Sequence, residues 1–373
     1  MSLRILLTAD VHLGLKFSNY PQVQKELTEA RFEALKKVVN AGNERQCDIL
    51  VVAGDLFDHL RVSDRDVVEA AQILCGFQGK IVTVLPGNHD FIIRDERKLW
   101  HKFKTNAGDR VLVLEESKVY NLEQYDLNVN VYAAPCDAKH SGTNCIGWIK
   151  NEPKDSSIKY HIGIAHGSLL GVSPDPDKKF FPMSEEELSK TGLDLWLMGH
   201  TDRLQYPVQV GPLSRIFYPG TPEPNGFDCN HDGRVWILEL NDEKDLNATS
   251  LKVGTYRFLH DEFNVSSGID IQRLVEKYST QEYATTLLKL KLRGHLPKEE
   301  FDSLRHLTEN LKKYLCYLEV DDSDVRQEIT YETIDREFTK DSFPHQLLNL
   351  LANESDGNEA LQIAYEIIQE VRK

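Results

Sequence analysis

Nowhere in the 373 residues is there a run near the roughly twenty apolar residues that a membrane-crossing helix requires, so no helical anchor is expected. The first ten residues hold a short apolar run without a small-residue cleavage pattern. They read as a buried strand rather than a signal peptide, and a cytoplasmic protein is expected. Cysteine is sparse: Cys47, Cys75, Cys136, Cys145, Cys229 and Cys316 show neither zinc-knuckle nor redox-pair spacing. That excludes a thiolate metal site and leaves free thiols in a reducing compartment. Basic charge is short as well. A formal net charge of −15 argues against simple coating of nucleic acid by Lys and Arg. The acid excess is heavier beyond residue 240, and bound divalent cations reverse a local field, so phosphate-bearing substrates stay open. Internal repeats and low-complexity tracts are absent, which sets aside solenoids and long linkers.

What is present suffices for a packed core, with 40% hydrophobic and 28% charged residues, and the length suggests two domains. Residues 4–9, 48–53 and 80–85 read as apolar strands. Helices are predicted over 22–42, where Leu27, Ala30, Ala34, Leu35, Val38 and Val39 keep helical spacing, and over 63–75 with Ser63 as N-cap. This β-α-β-α-β order predicts a mostly parallel, buried sheet. Short strands at 111–114, 129–134, 161–165, 195–198, 215–218 and 234–240 are expected to form a second sheet packed on the first. Residues 168–183, rich in Pro, Asp and Lys, are expected as an exposed loop. Polar residues 241–247 read as a domain boundary. Beyond them come strands at 285–292 and 315–320, a helix at 297–314, and terminal helices at 342–353 and 357–373.

The chemistry sits where strands end. Asp10-Val11-His12 follows the first predicted strand, Gly54-Asp55 the second, and Gly87-Asn88-His89-Asp90 the third. In a parallel sheet these C-terminal edges share one side, so the groups converge on one crevice. Two later strands end likewise, in Ala165-His166-Gly167 and Gly199-His200-Thr201-Asp202. Each motif alone reads as a turn, a cap or a packed histidine. Five strand–ligand–turn units in succession point to a metal crevice, with glycines allowing close backbone approach. Mixed Asp, Asn and His donors suit Mn²⁺ foremost, with Fe²⁺ or Zn²⁺ as alternatives, better than Ca²⁺. An aspartate such as Asp55 can bridge two ions roughly 3.5–4 Å apart, the spacing of two-metal phosphoester hydrolysis.

These five motifs, in this order, resemble the calcineurin-like metallophosphoesterases. The strings Thr8–Gly14, Ala53–Asp58, Leu85–Asp90, Ile164–Ser168 and Phe217–Pro224 resemble the SbcD-type DNA repair exonucleases over about the first 240 residues. The resemblance implies an α/β fold, a two-sheet α-β-β-α sandwich, with a smaller α+β C-terminal domain. It implies a nuclease domain at 1–241, a capping, DNA-binding-like domain at 242–340, and C-terminal helices at 341–373 that contact an SMC-like ATPase subunit. It further implies two divalent metal ions, one held by Asp10, His12, Asp55 and position 202, the other by Asp55, Asn88, His166 and His200. His89 would be the catalytic acid. One departure stands out: the family's last motif runs Gly-His-x-His, whereas this chain carries Asp202 at the final position. An aspartate oxygen there can replace the imidazole and favours a harder cation such as Mn²⁺; turned away, Asp202 would leave that metal weak or absent.

The function implied is a metal-dependent DNA exonuclease or endonuclease in DNA repair, acting on DNA as a homodimer with the ATPase. A small-molecule phosphodiesterase and a catalytically weakened scaffold are the alternatives. Candidate substrate contacts are His59, Arg61 and Arg94, with Arg65 and Arg97 also flanking the second and third motifs. In the last helix, Leu361, Ala364, Ile368 and Val371 are expected on one apolar face, suited to a partner's groove.

Overall fold

A strand covered on both faces has to be apolar along its whole length. This describes β1 (Leu3–Thr8), β2 (Ile49–Ala53) and β3 (Ile81–Leu85), where Arg4 alone is not buried. The computed structural model describes residues 2–93, 98–211, 213–354 and 358–372. It joins the three strands in parallel with β4 (Val111–Val113), through the crossover helices α1 (Gln24–Glu44), α2 (Asp64–Cys75) and α3 (Lys98–Ala107). Ser63 caps α2 as its sequence position predicts, its side chain accepting from Asp66 N–H.

A second sheet orders β5 (Val119–Asn121), β6 (Val129–Ala134), β7 (Tyr160–His166), β8 (Leu195–Gly199) and β9 (Ile216–Phe217), with α4 (Glu185–Lys190) preceding β8. The chain then returns to the first sheet. There β10 (Arg234–Leu240) pairs antiparallel with β1, and β11 (Leu246–Lys252) pairs antiparallel with β10. Two expectations are corrected here. Residues 111–114 and 234–240 belong to the first sheet, not the second, because apolar pattern marks a strand without naming its partner. Residues 241–247 are the turn of the β10–β11 hairpin and the start of β11.

Packing forms three layers of core. Inner faces of the two sheets meet through Ile5, Leu7, Val51, Ile162, Ile164 and Leu197. The outer face of the first sheet is covered by helices through Leu35, Val38, Ala70, Leu74, Trp100 and Phe103, and that of the second by Leu188, Ile149 and Leu169. The result is the α-β-β-α sandwich. The 168–183 segment is not simply exposed: Leu169, Phe181 and Met183 are buried, and Ser168 N–H and Leu170 N–H bond to Phe180 O and Met183 O.

The chain divides into two compact units, Met1–Phe258 and Leu259–Lys373. In the second, β12 (Arg257–Val265), β13 (Thr286–Leu296) and β14 (Tyr317–Gln327) form a three-stranded sheet. It is covered by α5 (Gly268–Tyr278) and α6 (Lys298–Leu311) around Ile271, Leu274, Leu290 and Leu304. The helices α7 (Tyr331–Glu337), α8 (Phe343–Ala352) and α9 (Asn358–Arg372) pack through Ile334, Phe338, Leu348 and Leu361. In α9 the face with Leu361, Ala364 and Ile368 turns inward, whereas Val371 is 83% exposed beside Ile363 and Ile367. The expected single face is thus two, and the outward one is Ile363–Ile367–Val371.

Candidate metal centre

The exits of β1 and β2 are stitched together before they diverge. Asp10 N–H donates to Gly54 O (3.1 Å), His12 N–H to Asp55 O (3.0 Å) and Leu13 N–H to Leu56 O (2.9 Å). Asp10, His12 and Asp55 adopt left-handed backbone angles (φ 55°, 47° and 52°), and His200 has φ 99°. Such angles cost a non-glycine residue about 1–3 kcal/mol and persist where the surroundings fix them, commonly at functional sites. Close approach requires glycine at Gly54, Gly87 and Gly199. A Cβ on Gly54 would lie 2.0 Å from His166 Nδ1, and one on Gly87 2.2 Å from Asp55 Oδ1.

Asp55 is the hub. Its Oδ1 accepts from His89 N–H (2.8 Å), and its Oδ2 lies 3.2 Å from His166 Nε2 and 3.8 Å from His12 Nε2. Among the described residues, two triplets bring ligand atoms within 4.8 Å of one another: Asp10–Asp55–His166 and His12–Asp55–His89. Asn88 Oδ1 sits 3.0 Å from His166 Nε2 and 3.1 Å from His200 Nδ1, while Asn88 Nδ2 donates to Lys139 O (3.3 Å). The β7–β8 register, His166 opposite Gly199, sets the two imidazoles side by side with ring centroids 5.4 Å apart. The Asp10 carboxylate accepts from His200 N–H (2.9 and 3.1 Å) and so ties the two sheets.

A second ring of bonds orients the first. Ala53 O can only accept, so His166 Nδ1 carries a proton across their 2.9 Å contact and Nε2 is the nitrogen turned to Asp55 and Asn88. Asp58 sets two imidazoles: its Oδ1 lies 3.3 Å from His12 Nδ1, and its backbone oxygen accepts from His89 Nδ1 (2.8 Å). Buried Asp90 holds the turns after β2 and β3 in register, accepting from Phe57 N–H (3.0 Å) and Gly87 N–H (2.7 Å). The roles of Asp58 and Asp90 were not drawn from the sequence, although both lie within the motifs. Phe180, 4.9 Å from the His200 ring, was hidden in a segment without periodicity.

Burial pushes the Asp10 carboxyl up to about 7, with His166 acting the other way. Burial also opposes ionisation of Asp55, yet the His166 charge and hydrogen bond, followed by His12 and His89, hold it far below the usual carboxylate range. His166 is raised to about 9: Asp55 outweighs the desolvation that would lower it. His200 falls to about 4 through burial and the neighbouring His166. The donor set fits divalent cations. His166 Nε2, Asp55 Oδ2 and Asn88 Oδ1 converge as lone-pair donors, and only a proton or a cation reconciles them.

Asp202 stands outside both triplets; its Oδ2 accepts from Asn225 Nδ2 (2.7 Å). His59 and Arg61 line one cleft with His89, whereas Arg65 lines another cavity on α2 with Lys36 and Lys102. Arg94 and Arg97 lie outside the described residues. The 217–224 segment buttresses the site: Tyr218, fully buried, donates to Gly167 O (3.0 Å), and Thr221 donates to Asp10 O (2.9 Å).

The model of the calcineurin-like phosphoesterases matches residues 3–203, more than half of the chain, including all five strand ends. The chain belongs to the calcineurin-like phosphoesterase family. Phosphoester hydrolysis at a divalent-metal site follows from that membership. Similarity to an uncharacterised metallophosphoesterase, YhaO of Bacillus subtilis, is 25% identity over 244 residues, covering 62% of this chain and 56% of that protein. The DNA double-strand break repair protein Mre11 of Methanopyrus kandleri is 25% identical over 265 residues, 65% of this chain and 51% of that protein. The chain spans about half the length of these curated relatives. The crystal structure of TT1561 of Thermus thermophilus aligns with a TM-score of 0.41 and 14% identity, over 68% of this chain and all of that one. No helix among the described residues is long and apolar enough to cross a membrane.

Proposed function

We propose that this phosphoesterase is a DNA nuclease of the repair type, working with two divalent ions, Mn²⁺ foremost. The observation that carries the reading is a pair of ligand triplets sharing Asp55, with His89 in one of them. Asp10, His12, Asp55 and Asp202 would hold one ion, and Asp55, Asn88, His166 and His200 the other. The ions would polarise the phosphoryl oxygens and lower the pKa of a bound water. The protein's own part is positional. Asp58 O fixes the proton of His89 on Nδ1, and a protonated Nε2 can then donate to the leaving oxygen. Asn88 and Asp10 hold His200 and the β8 loop against β1 and β3.

DNA as substrate is supported by the name of the Methanopyrus relative. An ATPase partner fits the outward apolar groups of α8 and α9, where Phe343, Leu350, Ile363, Ile367 and Val371 are 51–83% exposed. A homodimer in the cytoplasm, with the second unit shaping the DNA path, completes the reading. The test is hydrolysis of linear duplex DNA and of bis-p-nitrophenyl phosphate with Mn²⁺, beside His89→Ala. DNA degradation lost in the variant supports the nuclease, whereas cleavage of the small ester alone points to a small-molecule phosphodiesterase. A second reading, a weakened scaffold, draws on the bond from Asn225 that occupies Asp202. A sharp rise in activity in Asp202→His would favour it.

A further inference from the structure

Beside the metal centre, a cleft of about 620 Å³ opens on His89. Its walls come from four loops: Lys16 follows β1, His59 and Arg61 follow β2, Phe91 follows β3, and Lys139 follows β6. Its size lies within the range of sites for small organic groups. Lys16, Arg61 and Lys139 are exposed, and among the described residues none of them joins an ion pair. Among the described residues the one carboxylate in the lining, Asp58, lies 3.3 Å from His12. In a chain of net charge −15, three cations without an ion pair among the described residues gather around this one cleft. The cleft is also tied to the chemistry, because Lys139 O accepts from the amide of Asn88. His89, the proposed donor to the leaving oxygen, lines the same cleft, so the leaving group departs into it.

We propose that this cleft is a leaving-group subsite that binds the phosphate next to the scissile one, through Lys16, Arg61 and Lys139. The inference rests on the nuclease reading and deepens it: the site selects a polynucleotide over an isolated diester by requiring a second phosphate. Phe91 offers a face on which the intervening nucleoside can rest, as aromatic groups do in single-strand binding. Arg61 is held in the lining by its backbone N–H, which donates to His59 Nδ1 (3.2 Å).

The test compares a thymidine dinucleotide with one phosphate and a trinucleotide with two, using the full chain with Mn²⁺. Wild type should favour the trinucleotide by about tenfold or more in kcat/KM, mainly through KM. In Lys16→Ala/Lys139→Ala that preference should fall towards unity. The slope of log KM for the trinucleotide against log salt should shrink by about 0.7, the value for one single-strand phosphate contact. The Lys16→Arg/Lys139→Arg protein should keep the preference, which separates loss of charge from loss of fold. An unchanged preference in the alanine variant, or none in wild type, overturns the subsite and leaves the nuclease reading standing. If bis-p-nitrophenyl phosphate is hydrolysed but neither nucleotide is, the nuclease reading falls and takes the subsite with it.

Discussion

Replacing Gly54 by alanine attacks the metal centre without touching a ligand. Two costs add. A left-handed non-glycine residue is disfavoured by about 1–2 kcal/mol, and Gly54 sits at φ +97°. A Cβ 2.0 Å from His166 Nδ1 must also push the ring off Ala53 O, leaving a buried donor unsatisfied for about 1–3 kcal/mol more. The expected loss is about 2–5 kcal/mol. Gly108→Ala is the internal control, since Gly108 has φ +67° with nothing within 4 Å of a Cβ, so only the conformational cost applies. Urea unfolding followed by tryptophan fluorescence suits this comparison, because Trp100, Trp148, Trp196 and Trp236 all lie in the first unit. Mn²⁺ titration calorimetry supplies the second reading, and a misplaced His166 should weaken affinity by about 10–100-fold. A Gly54→Ala protein as stable as Gly108→Ala, with unchanged Mn²⁺ affinity, would refute the close-approach argument.

His89→Ala should lose about 10²–10⁴-fold in kcat, and unchanged Mn²⁺ binding by calorimetry would place its role in proton transfer rather than ligation. In chelator-treated protein, His166 has its folded pKa raised from 6.5 to about 9, so its stabilising contribution is complete below pH 6.5 and lost as pH rises through 9. The urea midpoint should therefore fall over that window, while Mn²⁺ affinity rises as the imidazole sheds its proton. Asp202→His should shift preference from Mn²⁺ towards Zn²⁺, and Asp202→Ala should raise the Mn²⁺ requirement for half-maximal activity by about tenfold or more, both read in metal titrations of activity. On α9, Leu361→Ala should cost about 2–5 kcal/mol, whereas Ile367→Glu should stay within about 0.5 kcal/mol, because Leu361 is 4% and Ile367 56% exposed. Chemical denaturation decides that pair.

The convergence of these groups was readable because each follows an apolar run directly, and parallel pairing sends such positions to one edge. Asp10, His12, Asp55, Asn88, His89, His166 and His200 come together on that account. Pairing partners were not readable: the apolar run Val235–Leu238 of β10 would suit either sheet, and only the long-range ladder with β1 decides. α9 carries two apolar stripes, and helical periodicity cannot say which meets Ile334 and Phe338. Asp202 shows the same limit at a single residue. Its place in the motif predicts a ligand, but the bond from Asn225 depends on a loop more than twenty residues away in sequence. Phe180 escaped because a loop residue that folds back over a histidine leaves no period to detect.

The candidate ligands are divided between the two sheets: Asp10, Asp55 and Asn88 leave the first, His166 and His200 the second. An ion held by both halves would act as a clasp on the sandwich seam, and its affinity would gauge whether the halves have closed. Either sheet alone would offer an incomplete set of donors, so a nascent or half-melted chain should be inert towards phosphodiesters. For a phosphoesterase, that is a safeguard built into the assembly order: hydrolytic competence arrives only with the last long-range contact.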